Sequence, residues 1–231
     1  MVATYSEEAS GAERGESLAR IVEEIAERLR EVEEARDEAQ ELARRARVLS
    51  KTAILLIHGG DLETAEGRLL EARRMMMASE AISRSRWIRV EELSSAQEEH
   101  AEAVILLNLM RGEDFPNPEE LGVEPGRYLL GLADVIGELR REAVEALRIG
   151  DLSRAEEMLR LMEHIYLTLT SAEEASVLLR GLRRKLDVAR SLIEGTRGQI
   201  AEERGRMRLL EALRKLEDQR KSSSISLEEA S

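Results

Sequence analysis

Glu99 and Glu102 lie three residues apart, and Asp134 and Glu138 lie four apart. On an α-helix each spacing places both carboxylates on one face, a turn from each other. If the two helices pack side by side, the four acids converge. Such a cluster repels itself at neutral pH unless it holds protons or a cation. Hard oxygen donors in a chain without cysteine favour Mg2+ or Mn2+ over Zn2+. An ion bound there would make water a nucleophile and neutralise charge on an attacked phosphate. The chain has 47 acidic residues, so helical acid pairs occur throughout, most of them on solvated faces. What separates Asp134 and Glu138 is their setting, Leu129-Leu-Gly-Leu-Ala-Asp-Val-Ile-Gly-Glu-Leu139, the least polar stretch of its helix. They share a stripe with Gly131 and Gly137, opposite a core face of Leu129, Leu132, Ile136 and Leu139. A glycine inside a helix costs about 1 kcal/mol relative to alanine. Something must therefore approach closely there, either a ligand or a tightly packed helix.

The basic residues are mostly arginine, which suits bidentate contact with phosphate. They cluster as Arg44-Arg45-Ala-Arg47, Arg84-Ser-Arg86-Trp87-Ile-Arg89, Arg140-Arg141 and Arg183-Arg184-Lys185. Arg84, Arg86, Arg89 and Arg141 are candidate phosphate contacts; the alternative for each is pairing with a nearby glutamate on a helix surface. Trp87, the only tryptophan, either stacks on an unpaired base or anchors a helix joint.

Other chemistries are excluded. The absence of cysteine removes disulfides, thiolate metal sites and cysteine nucleophiles. Three histidines are too few for an imidazole-rich centre. A ferritin-like di-iron site needs Glu-x-x-His pairs, but Gln97 and Leu161 stand three residues before His100 and His164. His100 reads as a polar-face residue. No phosphate-binding loop, dinucleotide fingerprint, nucleophile elbow or zinc motif occurs. No apolar run approaches a membrane span and the N-terminal residues show no apolar signal core, so the expected compartment is the cytoplasm with no membrane contact. A net charge of −12 argues against a uniformly basic surface for nucleic acid; it leaves open an arginine-rich inner face.

The elements that would position these residues are helices. Hydrophobic residues make up 42% of the 231 positions and aromatics only 2%, so the core must be built from Leu, Ile, Val, Ala and Met, mostly good helix formers. From about Glu16 to Ser50 apolar residues recur every three or four positions, and the stripe continues to Ile57. Gly59-Gly60 ends that helix and Asp61 caps the next, which reaches about Ser83. A third helix spans about Ile88–Arg111. Asn117 caps a turn over Pro118–Leu121, and Pro125 opens a helix to Ile149. Asp151 caps another to about Thr170, and a last one covers Ser176–Leu216, weakened at Gly195 and Gly198. Gly60-Asp-Leu-Glu-Thr-Ala-Glu66 recurs as Gly150-Asp-Leu-Ser-Arg-Ala-Glu156. Ninety residues apart, the echo does not fit a 34-residue helical repeat and reads as one kind of helix joint used twice. The expectation is an all-α, single-domain antiparallel bundle of six to seven helices over residues 15–217, between flexible tails at 1–14 and 218–231.

Several phrases, in order over roughly residues 20–200, resemble the translin family. They are Leu49-Ser-Lys-Thr-Ala-Ile54, Ile57-His-Gly-Gly-Asp61, Glu99-His-Ala-Glu-Ala103, Glu120-Leu-Gly-Val123, Tyr128-Leu-Leu-Gly-Leu-Ala-Asp-Val-Ile-Gly-Glu-Leu-Arg-Arg141 and Lys185-Leu-Asp-Val-Ala-Arg-Ser-Leu-Ile-Glu194. The resemblance implies a translin-like all-α fold, assembly into a hollow homo-octamer, and binding of single-stranded RNA and single-stranded DNA. It leans toward translin-associated factor X, in which four acids support Mg2+-dependent endoribonuclease activity. The matching positions are Glu99, Glu102, Asp134 and Glu138; the non-catalytic branch lacks the acid at the place of Asp134. Arg84, Arg86 and Arg89 around Trp87 fall where the family carries a basic nucleic-acid-binding segment, in different wording. The alternatives are a nucleic-acid-binding protein without catalysis and a structural helical scaffold.

Overall fold

A computed structural model describes the backbone of residues 3–171 and 179–228, and the side chains of 18–171 and 179–219. Among these residues there are seven helices and no strand: α1 Ala3–His58, α2 Leu62–Arg86, α3 Glu91–Arg111, α4 Pro118–Leu121, α5 Pro125–Arg148, α6 Leu152–Ser171 and α7 Leu182–Glu228. This is the expected all-α bundle. Helical backbone runs into both segments read as tails, and the start anticipated near Ser176 lies outside the described residues.

The echoed phrases build identical joints. Gly60 and Gly150 both have φ of 80°, a conformation glycine adopts at little cost. Asp61 then accepts a hydrogen bond from the backbone N of Thr64 at 3.1 Å, and Asp151 from that of Arg154 at 2.9 Å. Each joint turns the chain back on itself within a few residues, so α1 lies against α2 and α5 against α6. Asn117 and Glu120 form a reciprocal capping box on α4, with Pro118 in the first turn.

The core has two main parts. Ile54, Ile57, Ile105, Leu106, Ile136, Leu139, Met158 and Met162 fill the space among α1, α3, α5 and α6. The other part is rich in alanine, with Ala39, Ala43, Ala46 and Ala72 letting α1 and α2 approach closely. There Ser79 donates to the carbonyl of Ala39 at 2.8 Å. α3 and α5 run through the centre, and α7 packs on α5 and α6. α7 runs unbroken through Gly195 and Gly198, as one long helix. Gly195 makes room for Arg140, whose guanidinium would lie 3.1 Å from a Cβ there. Arg140 donates to the carbonyl of Leu192 at 3.0 Å and to the Thr196 hydroxyl at 3.1 Å, pinning α5 to α7.

Candidate functional site

The two glycines of the acidic stripe do different things. A Cβ on Gly131 would sit 2.5 Å from the carbonyl oxygen of Glu98 and 3.0 Å from both the backbone N of Glu102 and the Cβ of Ala101. Tight packing therefore explains Gly131: it lets α5 press against the backbone of α3. A Cβ on Gly137 would meet nothing within 4 Å. Gly137 borders two open clefts of about 430 and 560 Å³, one holding Asp134, Arg184 and Lys185, the other His58, Arg140 and Arg141.

Gly131 thus brings the four sequence-predicted acids into one electrostatic neighbourhood. Glu102 is the deepest, only 8% exposed. Burial raises its pKa first, the charges of Asp134, Glu99 and Glu138 raise it further, and Lys185 opposes them; the result is about 9. Burial also raises the pKa of Asp134, against the pull of Lys185. The three other acids each have basic partners. Lys185 bridges Asp134 and Glu98, the latter at 2.7 Å. Glu99 faces Arg47 at 3.5 Å and Lys51 at 3.7 Å. His58 stands between two carboxylates, with Nε2 2.5 Å from Glu138 and Nδ1 against Glu142. Burial alone would lower the His58 pKa, but hydrogen bonds and charge from Glu138 and Glu142 push it to about 9. His58 is therefore an imidazolium at neutral pH, a positive charge in an acidic cluster.

The donor set suits a hard divalent cation: carboxylate oxygens gathered about a buried carboxyl, with no sulfur donor in the chain. As placed, no three His, Asp or Glu side chains among the described residues converge closely enough to hold one. Asp134 and Glu138 instead point to Lys185 and His58. A shared ion would require those two side chains to rotate out of their ion pairs toward Glu102, and would replace charge that Lys185 and His58 now supply.

The basic candidates fall in two places. Arg84, Arg86, Trp87 and Arg89 make up the α2–α3 joint. Arg84 pairs with Glu80 at 2.7 Å and Arg86 with Glu31 at 3.5 Å, so surface pairing accounts for both. Trp87 is 96% exposed and has φ of 56°. It anchors nothing; buried Ile88 and Val90 do that. A left-handed conformation costs a non-glycine residue roughly 1–2 kcal/mol, here spent presenting an indole to solvent. Arg89 lines a cleft of about 620 Å³ with Gln97 and Arg127, and Arg127 lies 3.8 Å from Glu98. Arg141 is separate from these, on α5 at the rim of the acidic site.

Sequence reasoning missed Glu98, Glu142, His58 and Lys185 as parts of the site. Asp134, Glu138 and Glu142 form one run at steps of four, and Lys185 and His58 stand in phrases already singled out for other reasons. His100 corrects an expectation: it is 2% exposed rather than on a polar face. Burial and then the charge of Arg73 lower its pKa to about 4, and its Nδ1 has no hydrogen-bond partner.

Comparison with known proteins places this geometry in context. The Translin family model matches residues 15–194. An uncharacterized protein of Methanocaldococcus jannaschii is 36% identical over 126 residues, which cover 54% of this chain and 56% of that protein. The chain thus spans about half the length of that curated relative. Among solved structures, AfC3PO in complex with duplex RNA superposes with a TM-score of 0.72 at 38% identity, covering 79% of this chain and 96% of that one. A second crystal structure of AfC3PO gives the same values. NeC3PO in its apo form has a TM-score of 0.71 at 26% identity, with the same coverage.

Proposed function

This chain belongs to the translin family, and from that premise we propose that it binds RNA as a homo-oligomer, an octamer, and cuts it as a metal-dependent endoribonuclease in the cytoplasm. The observation that carries the reading is Glu102: a carboxyl on α3 whose pKa is raised first by burial and then by the charges of Asp134 and Glu138, across the Gly131 contact, and of Glu99 on its own helix. Such an arrangement weakens the fold at neutral pH and is relieved when a cation binds. Glu99, Glu102, Asp134 and Glu138 would hold Mg2+ or Mn2+. That ion would supply an activated water and charge neutralisation at a phosphodiester. Lys185 and His58, displaced from Asp134 and Glu138, would offer their N–H groups to substrate phosphate oxygens. Arg141 at the rim and Arg89 at the α2–α3 joint position the backbone of the strand, and Trp87 stacks on a base. AfC3PO has been solved with duplex RNA; the exposed indole of Trp87 favours single strands here, with single-stranded DNA as a second ligand.

One observation favours a second reading, an RNA-binding protein without catalysis. Three of the four acids already have cationic partners, and none of the described residues form a ready metal cage. Labelled single-stranded RNA incubated with and without Mg2+ separates the two. The nuclease reading expects Mg2+-dependent cutting that Asp134→Asn with Glu138→Gln abolishes. Cutting that survives this pair defeats the assignment, and binding without cutting under any divalent ion supports the second reading.

A further inference from the structure

The backbone of α3 explains Gly131, but nothing in the packing of the chain explains Gly137. It lies inside α5, where glycine costs helix stability relative to alanine. A Cβ there would meet nothing within 4 Å. The helix backbone is therefore laid bare where a side chain would fit. What it borders is open space on two sides. The cleft of about 430 Å³ follows α5 from Ala133 to Gly137 against α7, and the cleft of about 560 Å³ continues from Gly137 to Glu145. Gly137 lines both, a low saddle between them. A larger side chain would divide one trough into two.

The two clefts also match in charge. In the first, Lys185 is held by Asp134 and Glu98. That leaves Arg184, exposed on α7 and without an ion pair among the described residues. In the second, Arg140 is held by Leu192 and Thr196, His58 lies between Glu138 and Glu142, and Glu145 pairs with Arg148. That leaves Arg141, exposed on α5 and likewise unpaired among the described residues. An uncommitted guanidinium thus stands to each side of Gly137, in a chain of net charge −12. Asp134, Gly137, Glu138 and Arg141 share one face of α5 at helical spacing. Asp134 to Arg141 covers about 10 Å of helix axis. A bare, elongated trough with a cation in each half suits an extended polyanion rather than a compact one.

We propose that Gly137 is where the substrate strand passes the acidic site: the sugar–phosphate chain lies on bare α5 backbone, with one phosphate on Arg184, another on Arg141, and the phosphodiester between them beside Asp134 and Glu138. The assignment rests on the endoribonuclease reading of these acids and adds to it a path, a contact at Arg184 and a positioning role for Gly137. Gly137 holds no ion and moves no proton; it acts through the space it leaves. A side chain there lifts the phosphodiester off the ion, and misplacement by about 1 Å slows a reaction on the order of a hundredfold.

Gly137→Leu in the full-length protein tests this. Cutting of single-stranded RNA with Mg2+ should lose about a hundredfold in kcat, with KM changed by no more than about threefold because both arginines remain. Tm should not fall, since the position faces open space, and the rise in Tm on adding Mn2+ should persist, since the four acids are intact. Folded Gly137→Leu protein that cuts at the wild-type rate, or that loses the Mn2+ response together with activity, overturns the assignment. Arg184→Gln with Arg141→Gln should weaken RNA binding and lower the slope of log affinity against log salt by about 1.4, the value for two phosphate contacts on a single strand. An unchanged slope also overturns it. Gly137→Cys separates the path from the chemistry, being the only thiol in a chain without native cysteine. In EDTA, single-stranded RNA at about ten times its Kd should slow alkylation of that thiol by iodoacetamide roughly tenfold. Alkylation at an unchanged rate overturns the path. Wild-type protein that never cuts RNA, with Gly137→Cys protected, removes the nuclease reading and leaves the strand path standing.

Discussion

Replacing Gly131 with alanine, and separately Gly137 with alanine, sets two opposing effects against each other on one helix. Both positions lie inside α5, so alanine gains roughly 1 kcal/mol of helix propensity at each. At Gly137 nothing lies within 4 Å of the new methyl group, so Gly137→Ala should show that gain. At Gly131 the methyl would fall 2.5 Å from the carbonyl oxygen of Glu98 and 3.0 Å from the backbone N of Glu102. The obstacle is helix backbone, which cannot swing aside as a long side chain would. Relieving such overpacking typically costs about 1–3 kcal/mol. The propensity gain is common to both, so the variants should differ by about 1–3 kcal/mol, on the order of 5 °C in Tm for a domain of this size. Calorimetry or thermal circular dichroism without added metal measures it. Because the relief comes from α5 moving off α3, Gly131→Ala should also lose RNA cutting, as Glu102 and Asp134 separate. If Gly131→Ala melts at or above the temperature of Gly137→Ala, the helix contact is not what holds the acids together.

The pH dependence of stability follows from Glu102. Its folded pKa of about 9 lies above the 4.5 of the free side chain, so between those values the folded chain holds a proton that the unfolded chain has released. That stability is fully present below about pH 4.5 and lost as pH rises through 9, with a slope approaching ~1.4 kcal/mol per pH unit. His58, also raised to about 9, adds a loss in the same direction starting near its ordinary value of 6.5. Denaturant titrations of metal-free protein from pH 5 to 9 should show this decline, and Glu102→Gln should flatten the part below pH 6.5; an unchanged slope there would contradict the assignment. Mg2+ or Mn2+ should raise Tm more as pH increases, with proton release on binding. Asp134→Asn with Glu138→Gln should remove that metal-dependent rise. Trp87→Gly should raise stability by about 1 kcal/mol by relieving the left-handed backbone, while weakening single-stranded RNA binding roughly tenfold; a stability gain without lost affinity would remove Trp87 from the RNA contact.

Much of this was legible because helices advertise their period and their ends. The Gly-Asp joints, the Asn117 cap and the stripe shared by Asp134, Glu138, Gly131 and Gly137 follow from local rules that tertiary packing respects. Which glycine meets a neighbour does not follow, because Gly131 and Gly137 share a stripe and differ only in what stands opposite. The partners of the acids were hidden for a similar reason. Lys185 and His58 come from helices distant in sequence, and a histidine between two carboxylates is a fact of three-dimensional packing. His100 was misjudged because the acidic residues around it on α3 suggest a solvated face; helix rotation turns it inward toward Leu121 and Leu69 instead.

The central claim is that α3 and α5 together offer one divalent ion a place beside Glu102. Anomalous diffraction from crystals of the full chain grown with Mn2+ tests this most directly. The account predicts a peak within coordination distance of carboxylate oxygens from Glu102, Asp134 and Glu138, with Asp134 released from Lys185 and Glu138 from His58. Saturating Mn2+ with no peak at those oxygens, and both ion pairs intact, would contradict it.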